Sequence, residues 1–384
     1  MRAINRPLLC LMAVFAFVSW TLHGQRENSG SQPSAPELTS SEIISSAGQY
    51  KLEWRRHYQR QAELVLDGIA DGTDALWIIT RAGPGKPDPS LTKIDPAGQL
   101  LANYDPVLPL NPLEWVAYLS PAASGKSVGL LASLASGGKA QTFEGALFMP
   151  VGVDGLGNPV RVASRGPQFP TMIGIDTDEF IVAGDQEPLT LLKLDFNGKV
   201  LWRRSFSSAL VLPTVSVGAS GSIFVASQGG SYLLVQMVSS SGQVLRSKRI
   251  SAKQGTIVAD SEGGCSLLIS TGYNGKDNRV YLLTLDKKLN QLSRAETPLV
   301  GWGGRSYQLI STPHGHLAVG EGPTLSPQNE IPKVIAEFDK SGAMIWQQAT
   351  SSLATPLLAP FASGFYLVRH GLEGRGMDVE KYLY

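Results

Sequence analysis

Cysteine is nearly absent from this chain: two residues in 384, at Cys10 and Cys265. One cysteine in the body of a protein excludes an internal disulfide framework, a Cys-based zinc centre and a CxxC redox pair. Cys265 lies in the apolar run GGCSLLIS and reads as a small buried hydrophobe. An excess of charge of either sign is also lacking. With 33 basic and 32 acidic residues, the net charge is +1, so no general field gathers nucleic acid or an anionic membrane. A charge-driven partner has to be met by a local patch. Low hydrophobicity is missing too: at 43% hydrophobic and 17% charged, the chain has the composition of a globular protein. No helical periodicity is visible anywhere.

One apolar stretch stands apart. Arg2 and Arg6 precede Pro7 to Leu22, and polar residues resume at His23. This is the pattern of an export signal, shorter than the ~20 residues of a comfortable membrane span. Gly24 is the best small residue for cleavage, but Leu22 fits position −3 poorly, so residues 1–24 are expected to be a cleaved signal or an uncleaved anchor. Residues 25–46, rich in Ser with Pro33 and Pro36, read as a tether that cannot bury enough apolar surface to fold. The folded body is expected at 47–384, with a periplasmic or secreted location or, with the anchor kept, one at a membrane surface.

That body repeats. Seven units each open with two short apolar strands around a tight turn, beginning at Leu64, Val116, Met172, Val215, Ile257, Leu309 and Leu357. Glycine marks most of these turns, at Gly125, Gly221, Gly264, Gly315 and Gly364. A second hairpin follows in LTKIDPAGQLLA, LLKLDFNGKVLW, LVQMVSSSGQVLR and VIAEFDKSGAMIW, with turns ending at Gly98, Gly198, Gly242 and Gly342; weaker copies surround Gly157 and Asn290. Four strands at a spacing of roughly 40–50 residues specify the blade of a β-propeller. The last unit supplies only three strands, and Tyr50 to Trp54 offers the missing fourth. Pairing it with the last blade closes the ring and removes an exposed edge. The expected fold is therefore all-β, a single seven-bladed propeller; eight blades is the alternative.

LDFNGKVLW (Leu194 to Trp202) and FDKSGAMIW (Phe338 to Trp346) resemble the repeat of bacterial quinoprotein-type propellers, in which an acidic turn is followed by Gly and then by a docking Trp. The pyrroloquinoline-quinone enzymes of that superfamily usually have eight blades, an adjacent-cysteine disulfide and calcium ligands, which this sequence lacks. The resemblance implies a non-catalytic member that uses the repeat as a scaffold, with no cofactor.

Propeller geometry puts the short turns of both hairpins on one face and the long connections on the other. The long-loop face is the expected contact surface. On or just after the outer strands, on the way to that face, stand Arg55, Arg56, Arg165, Arg203, Arg204, Arg249, Arg294 and Arg305, with Trp302 among glycines and His370 in a long connection. Arginines beside an aromatic platform suit an acidic saccharide or an acidic protein segment. Arg204, Arg249, Arg294, Trp302, Arg305 and His370 are the candidate ligand-binding residues. His314-Gly315-His316 reads as a solvated turn rather than a metal site, and Asp95, Asp195, Asp286 and Asp339 as turn residues capping their own backbone. The expected function is binding or assembly of a protein or saccharide partner. A carbohydrate-active lyase or hydrolase with a site over the central channel is the alternative. A monomer without nucleic-acid partners is expected, touching a membrane only through an uncleaved N-terminal anchor.

Overall fold

The structure is a computed structural model describing residues 50–384, save 60–63, 82–88, 105–113, 137–141, 153–154, 164–170, 176–177, 185–188, 207–209, 219, 273–277, 301–306, 324–331, 351–354 and 371–375. Every element described is a strand. After β1 (Lys51–Tyr58), blade 1 runs through β2 (Leu64–Ala70), β3 (Leu76–Arg81), β4 (Pro89–Ile94) and β5 (Leu100–Tyr104). Blade 2 is β6 (Glu114–Ser124), β7 (Ser127–Ser136), β8 (Thr142–Gly152), the two-residue β9 (Gly155–Leu156) and β10 (Val160–Ala163). Blade 3 is β11 (Thr171–Ile175), β12 (Glu179–Gly184), β13 (Thr190–Asp195) and β14 (Val200–Ser205). Blade 4 is β15 (Val211–Val217), β16 (Ile223–Gly229), β17 (Tyr232–Val238) and β18 (Val244–Ile250). Blade 5 is β19 (Gln254–Ala259), β20 (Cys265–Ser270), β21 (Arg279–Leu285) and β22 (Gln291–Val300). Blade 6 is β23 (Gln308–Thr312), β24 (Gly315–Glu321), β25 (Lys333–Asp339) and β26 (Met344–Thr350). Blade 7 is β27 (Leu357–Phe361), β28 (Gly364–His370) and β29 (Met377–Leu383), completed by β1 in the order β1-β29-β28-β27. The chain is a seven-bladed β-propeller whose first described strand is the outer strand of its last blade.

The burial pattern explains why these sequences stack rather than close into a sandwich. Second strands are apolar on both faces: all seven residues of β16 and all six of β20 are buried. Each therefore needs a neighbouring blade on either side. The core is accordingly divided among the blade interfaces. One cluster joins Phe224 and Val235 of blade 4 to Cys265 and Leu267 of blade 5, another Phe148 of blade 2 to Phe180 of blade 3, and a third Leu76 of blade 1 to Tyr366 of blade 7. The remaining four interfaces have equivalent clusters. First strands of successive blades touch one another around the axis. Their closest approach leaves no room for a side chain at Gly174, where an added Cβ would sit 1.8 Å from the Ala123 carbonyl oxygen.

The second-hairpin turns recur as the repeats foretell, with Gly98, Gly198, Gly242 and Gly342 at φ between 79° and 87°. In blade 5 the same left-handed position is taken by Leu289, at φ 64°, which explains why that copy looks weak in sequence. Two tryptophans dock on the turn of the next blade, whereas Trp346 donates to Glu337 of its own blade. Trp202 of blade 3 donates through Nε1 to Ser240 O of blade 4 (2.9 Å), and its ring lies against Gly242, where an added Cβ would be 3.1 Å away. Trp54 does the same from β1 to Pro96 O and Gly98 of blade 1. Its docking is hidden in sequence because its turn lies across the closure.

Closure is dense. Besides the β1·β29 ladder, Tyr58 donates to Gly98 O (2.7 Å), Tyr366 to Asp74 O (2.5 Å) and Lys381 to Pro96 O (3.1 Å), all from blade 7 to blade 1. Glu380, fully buried on β29, pairs with Arg55 of β1 (3.3 Å) and accepts from Arg369 of β28 (2.5 Å) and the Tyr382 hydroxyl (2.6 Å).

Candidate functional site

The acidic side chains of the short-turn face serve their own turns. The Oδ1 of Asp195 accepts from the N–H groups of Asn197 and Lys199 at 2.9 Å each, and Asp286 and Asp339 repeat the arrangement. Asp95 accepts from Gln99 N at 2.6 Å. The Ser341 hydroxyl, helped by the Ala343 and Ser341 N–H groups, holds the Asp339 carboxyl below the usual carboxylate value. These aspartates bind backbone, as the sequence implies.

Buried ionisable groups are likewise structural. Glu337 is fully buried at the blade 6–7 boundary; its oxygens accept from the Tyr50 hydroxyl (2.6 Å) and from Trp346 Nε1. Burial and the Glu337 contact push the Tyr50 phenol upward. Asp71 accepts from Thr73, Ala75 and Trp77. Cys265 is wholly buried and its thiol is pushed up to about 12 by burial, which makes it inert. Among the described residues, no group of three His, Cys, Asp or Glu is placed to hold a metal ion.

The histidine pair departs from the sequence reading. His314 is an exposed turn residue, but His316 is 4% exposed on β24, with Nε2 3.0 Å from Ser266 Oγ of blade 5. The hairpin turns one residue earlier than the glycine suggested, so Gly315 and His316 already belong to the strand. Burial holds the His316 ring below the ordinary histidine value.

Of the candidate ligand-binding residues, Arg204, Arg249 and Arg294 are exposed on β14, β18 and β22, the outer strands of three successive blades. Arg249 faces Leu234 across the ladder and lays its guanidinium 4.7 Å from the Tyr232 ring centroid. Arg294 faces Leu283 and lies 4.3 Å from the Tyr281 ring. In both blades the tyrosine stands two residues before the arginine's partner, a diagonal cross-strand pair. The sequence carries this platform in the third strands, β17 and β21, and not in the outer strands that carry the arginines. Trp302 and Arg305 lie outside the described residues, as does Arg165. His370 ends β28, and its Nε2 accepts from Val65 N at 3.0 Å, so it ties blade 7 to blade 1. His57, the other histidine of that side, is exposed and pairs with Asp378 at 2.9 Å.

The outer strands differ in charge. β14 carries Arg203 and Arg204, and β18 carries Arg246, Lys248 and Arg249, with no acid on either. All four arginines are exposed, on adjoining blades. β22 mixes Arg294 with Glu296, which pairs with Arg279 at 3.1 Å; β5 and β26 are uncharged; β10 carries the single Arg161; and on β1, Arg55, His57 and Glu53 pair with Glu380, Asp378 and Lys381.

No family model and no curated protein matches the chain. Solved structures match its fold. Virginiamycin B lyase from Staphylococcus aureus superimposes at TM-score 0.54 with 11% identity, over 88% of this chain and 100% of that one. The Pan2 WD40 domain of Neurospora crassa gives TM-score 0.53 and 13% identity, over 87% and 95% of the two chains. BamB from Moraxella catarrhalis matches at TM-score 0.43 and 12% identity, over 86% and 100%. At such identities the likeness is one of fold.

Proposed function

We propose that this protein is an exported, non-catalytic β-propeller that serves as a binding or assembly scaffold for an acidic protein or saccharide partner. The observation that carries the reading is the pair of acid-free basic edges, with Arg203 and Arg204 on β14 beside Arg246 and Arg249 on β18, all exposed. On β22 and β1 acids stand among the basic side chains, and β10 carries the single Arg161. A guanidinium offers a planar fork of donors suited to carboxylates, and the Tyr232 and Tyr281 rings lie against those of Arg249 and Arg294. The quinoprotein-type repeat supports a scaffold rather than a cofactor enzyme, and the Arg2, Arg6 and Pro7-to-Leu22 pattern supports export.

The test is binding of an acidic polysaccharide and an acidic peptide to the purified protein across a salt series. Affinity is expected to fall as salt rises, and to fall with Arg204→Glu plus Arg249→Glu but not with Lys340→Glu in a turn of the opposite face. Equal losses in the two variants would overturn the reading.

A further inference from the structure

We infer that the partner is a protein, engaged through an extended acidic segment that adds as a further strand to the open edge β18. The inference rests on the scaffold reading above. β18 ends its sheet in the order β15-β16-β17-β18, so one side of its backbone has no neighbouring strand among the described residues. Such an edge carries a row of N–H and C=O groups that only another peptide backbone can pair in register. A saccharide could meet the arginines and would leave that row to water.

The side chains select the charge of the added strand. Lys248 Nζ is committed to Leu289 O of blade 5 at 2.7 Å, which leaves Arg246 and Arg249 exposed, one on each face of the strand. Leu245, 49% exposed where the register of β17 and β18 shifts, offers an apolar contact beside Arg246. On the blade 3 side, Arg203 and Arg204 of β14 follow Trp202, which docks on Ser240 and Gly242 of blade 4. A segment with carboxylates on both faces is complementary to this edge. A second copy of β18 would set arginine against arginine, a repulsive pairing. The uncharged edges β5 and β26 offer no such selection.

Three probes separate the claims: the capped peptide Val-Glu-Glu-Val-Glu-Glu-Val, which carries carboxylates on both faces of an extended strand, the same peptide N-methylated at alternate residues, and an oligomer of galacturonic acid. N-methylation keeps every carboxylate and removes backbone donors along one edge. Both alternating sets of methylation sites are made, so that either pairing register is blocked in one of them. The parent peptide is expected to bind, and the N-methylated copy that blocks the pairing edge to bind about tenfold more weakly or worse. Arg246→Glu with Arg249→Glu should reduce parent binding by a similar factor at unchanged melting temperature, since both side chains are exposed. If both N-methylated copies or the galacturonate oligomer bind as tightly as the parent, edge addition is overturned and the basic-sector reading stands. If the double charge reversal leaves binding of all probes unchanged, or none of them binds, both are overturned.

Discussion

Removing the Tyr50 hydroxyl isolates the chemistry that ties the closing segment to blade 6. Glu337 is fully buried, and its two oxygens are served by Tyr50 and Trp346, one on each side of the blade 6–7 boundary. Tyr50→Phe keeps the ring and its packing against Phe365, 5.3 Å away at 85°, and deletes one donor. A hydrogen bond to a charged group is worth about 1.5–3 kcal/mol, and the carboxylate left behind has no water to replace it. The folding equilibrium should therefore shift by roughly 10- to 100-fold out of a total stability of about 5–15 kcal/mol. Urea unfolding followed by tryptophan fluorescence measures this as a lower midpoint at unchanged slope. The same substitution in a Glu337→Leu background should cost under about 0.5 kcal/mol, because the acceptor is gone. Equal costs in the two backgrounds would refute the reasoning and assign the loss to packing.

Four further outcomes follow from the same geometry. Arg369→Met should destabilise by about 3–5 kcal/mol because its partner Glu380 is wholly buried, whereas Arg55→Ala, a third exposed at 35%, should cost under about 1 kcal/mol; chemical unfolding of the two variants compares them directly. Cys265 should resist a thiol reagent in the native protein and react only in denaturant, and Cys265→Ala should cost about 1–2 kcal/mol without affecting partner binding; rapid native labelling contradicts this. Gly242→Ala and Trp202→Ala should each loosen the blade 3–4 contact by roughly 2 kcal/mol, and together by less than their sum, as unfolding midpoints of the three variants will show. Burial depresses the folded-state protonation of His316 and His370, so the unfolded chain binds more protons below about pH 6.5. Their contribution is thus present above that pH and is lost as pH falls through the folded values; His316→Asn should flatten the acid limb of a stability-versus-pH curve, and an unchanged limb contradicts this account.

The repeat architecture was legible because each blade must spell out the same four strands, and because the three-stranded last unit leaves a gap that Tyr50 to Trp54 fills; the strand itself runs on to Tyr58. The turn aspartates were equally readable, since their bonds are local. What escaped notice depends on contacts between blades. Trp54 docks on Gly98 through the ring closure, far away in sequence. His316 looked solvated because Gly315 suggested a turn, while its burial is set by Ser266 of the preceding blade. The arginines were visible as residues, but their aromatic platforms are tyrosines of the adjoining strands, and the exclusion of acids from β14 and β18 has meaning only once those strands are known to be neighbouring edges.

Hydrogen exchange on the protein with and without the acidic Glu-Val peptide tests the central claim most directly. Amides of Val244–Ile250 should gain protection on binding, with a smaller gain in Val200–Ser205 and none in β5 or β26. Protection confined to first strands around the axis, or spread evenly over the rim, would contradict a scaffold that binds through its basic edge.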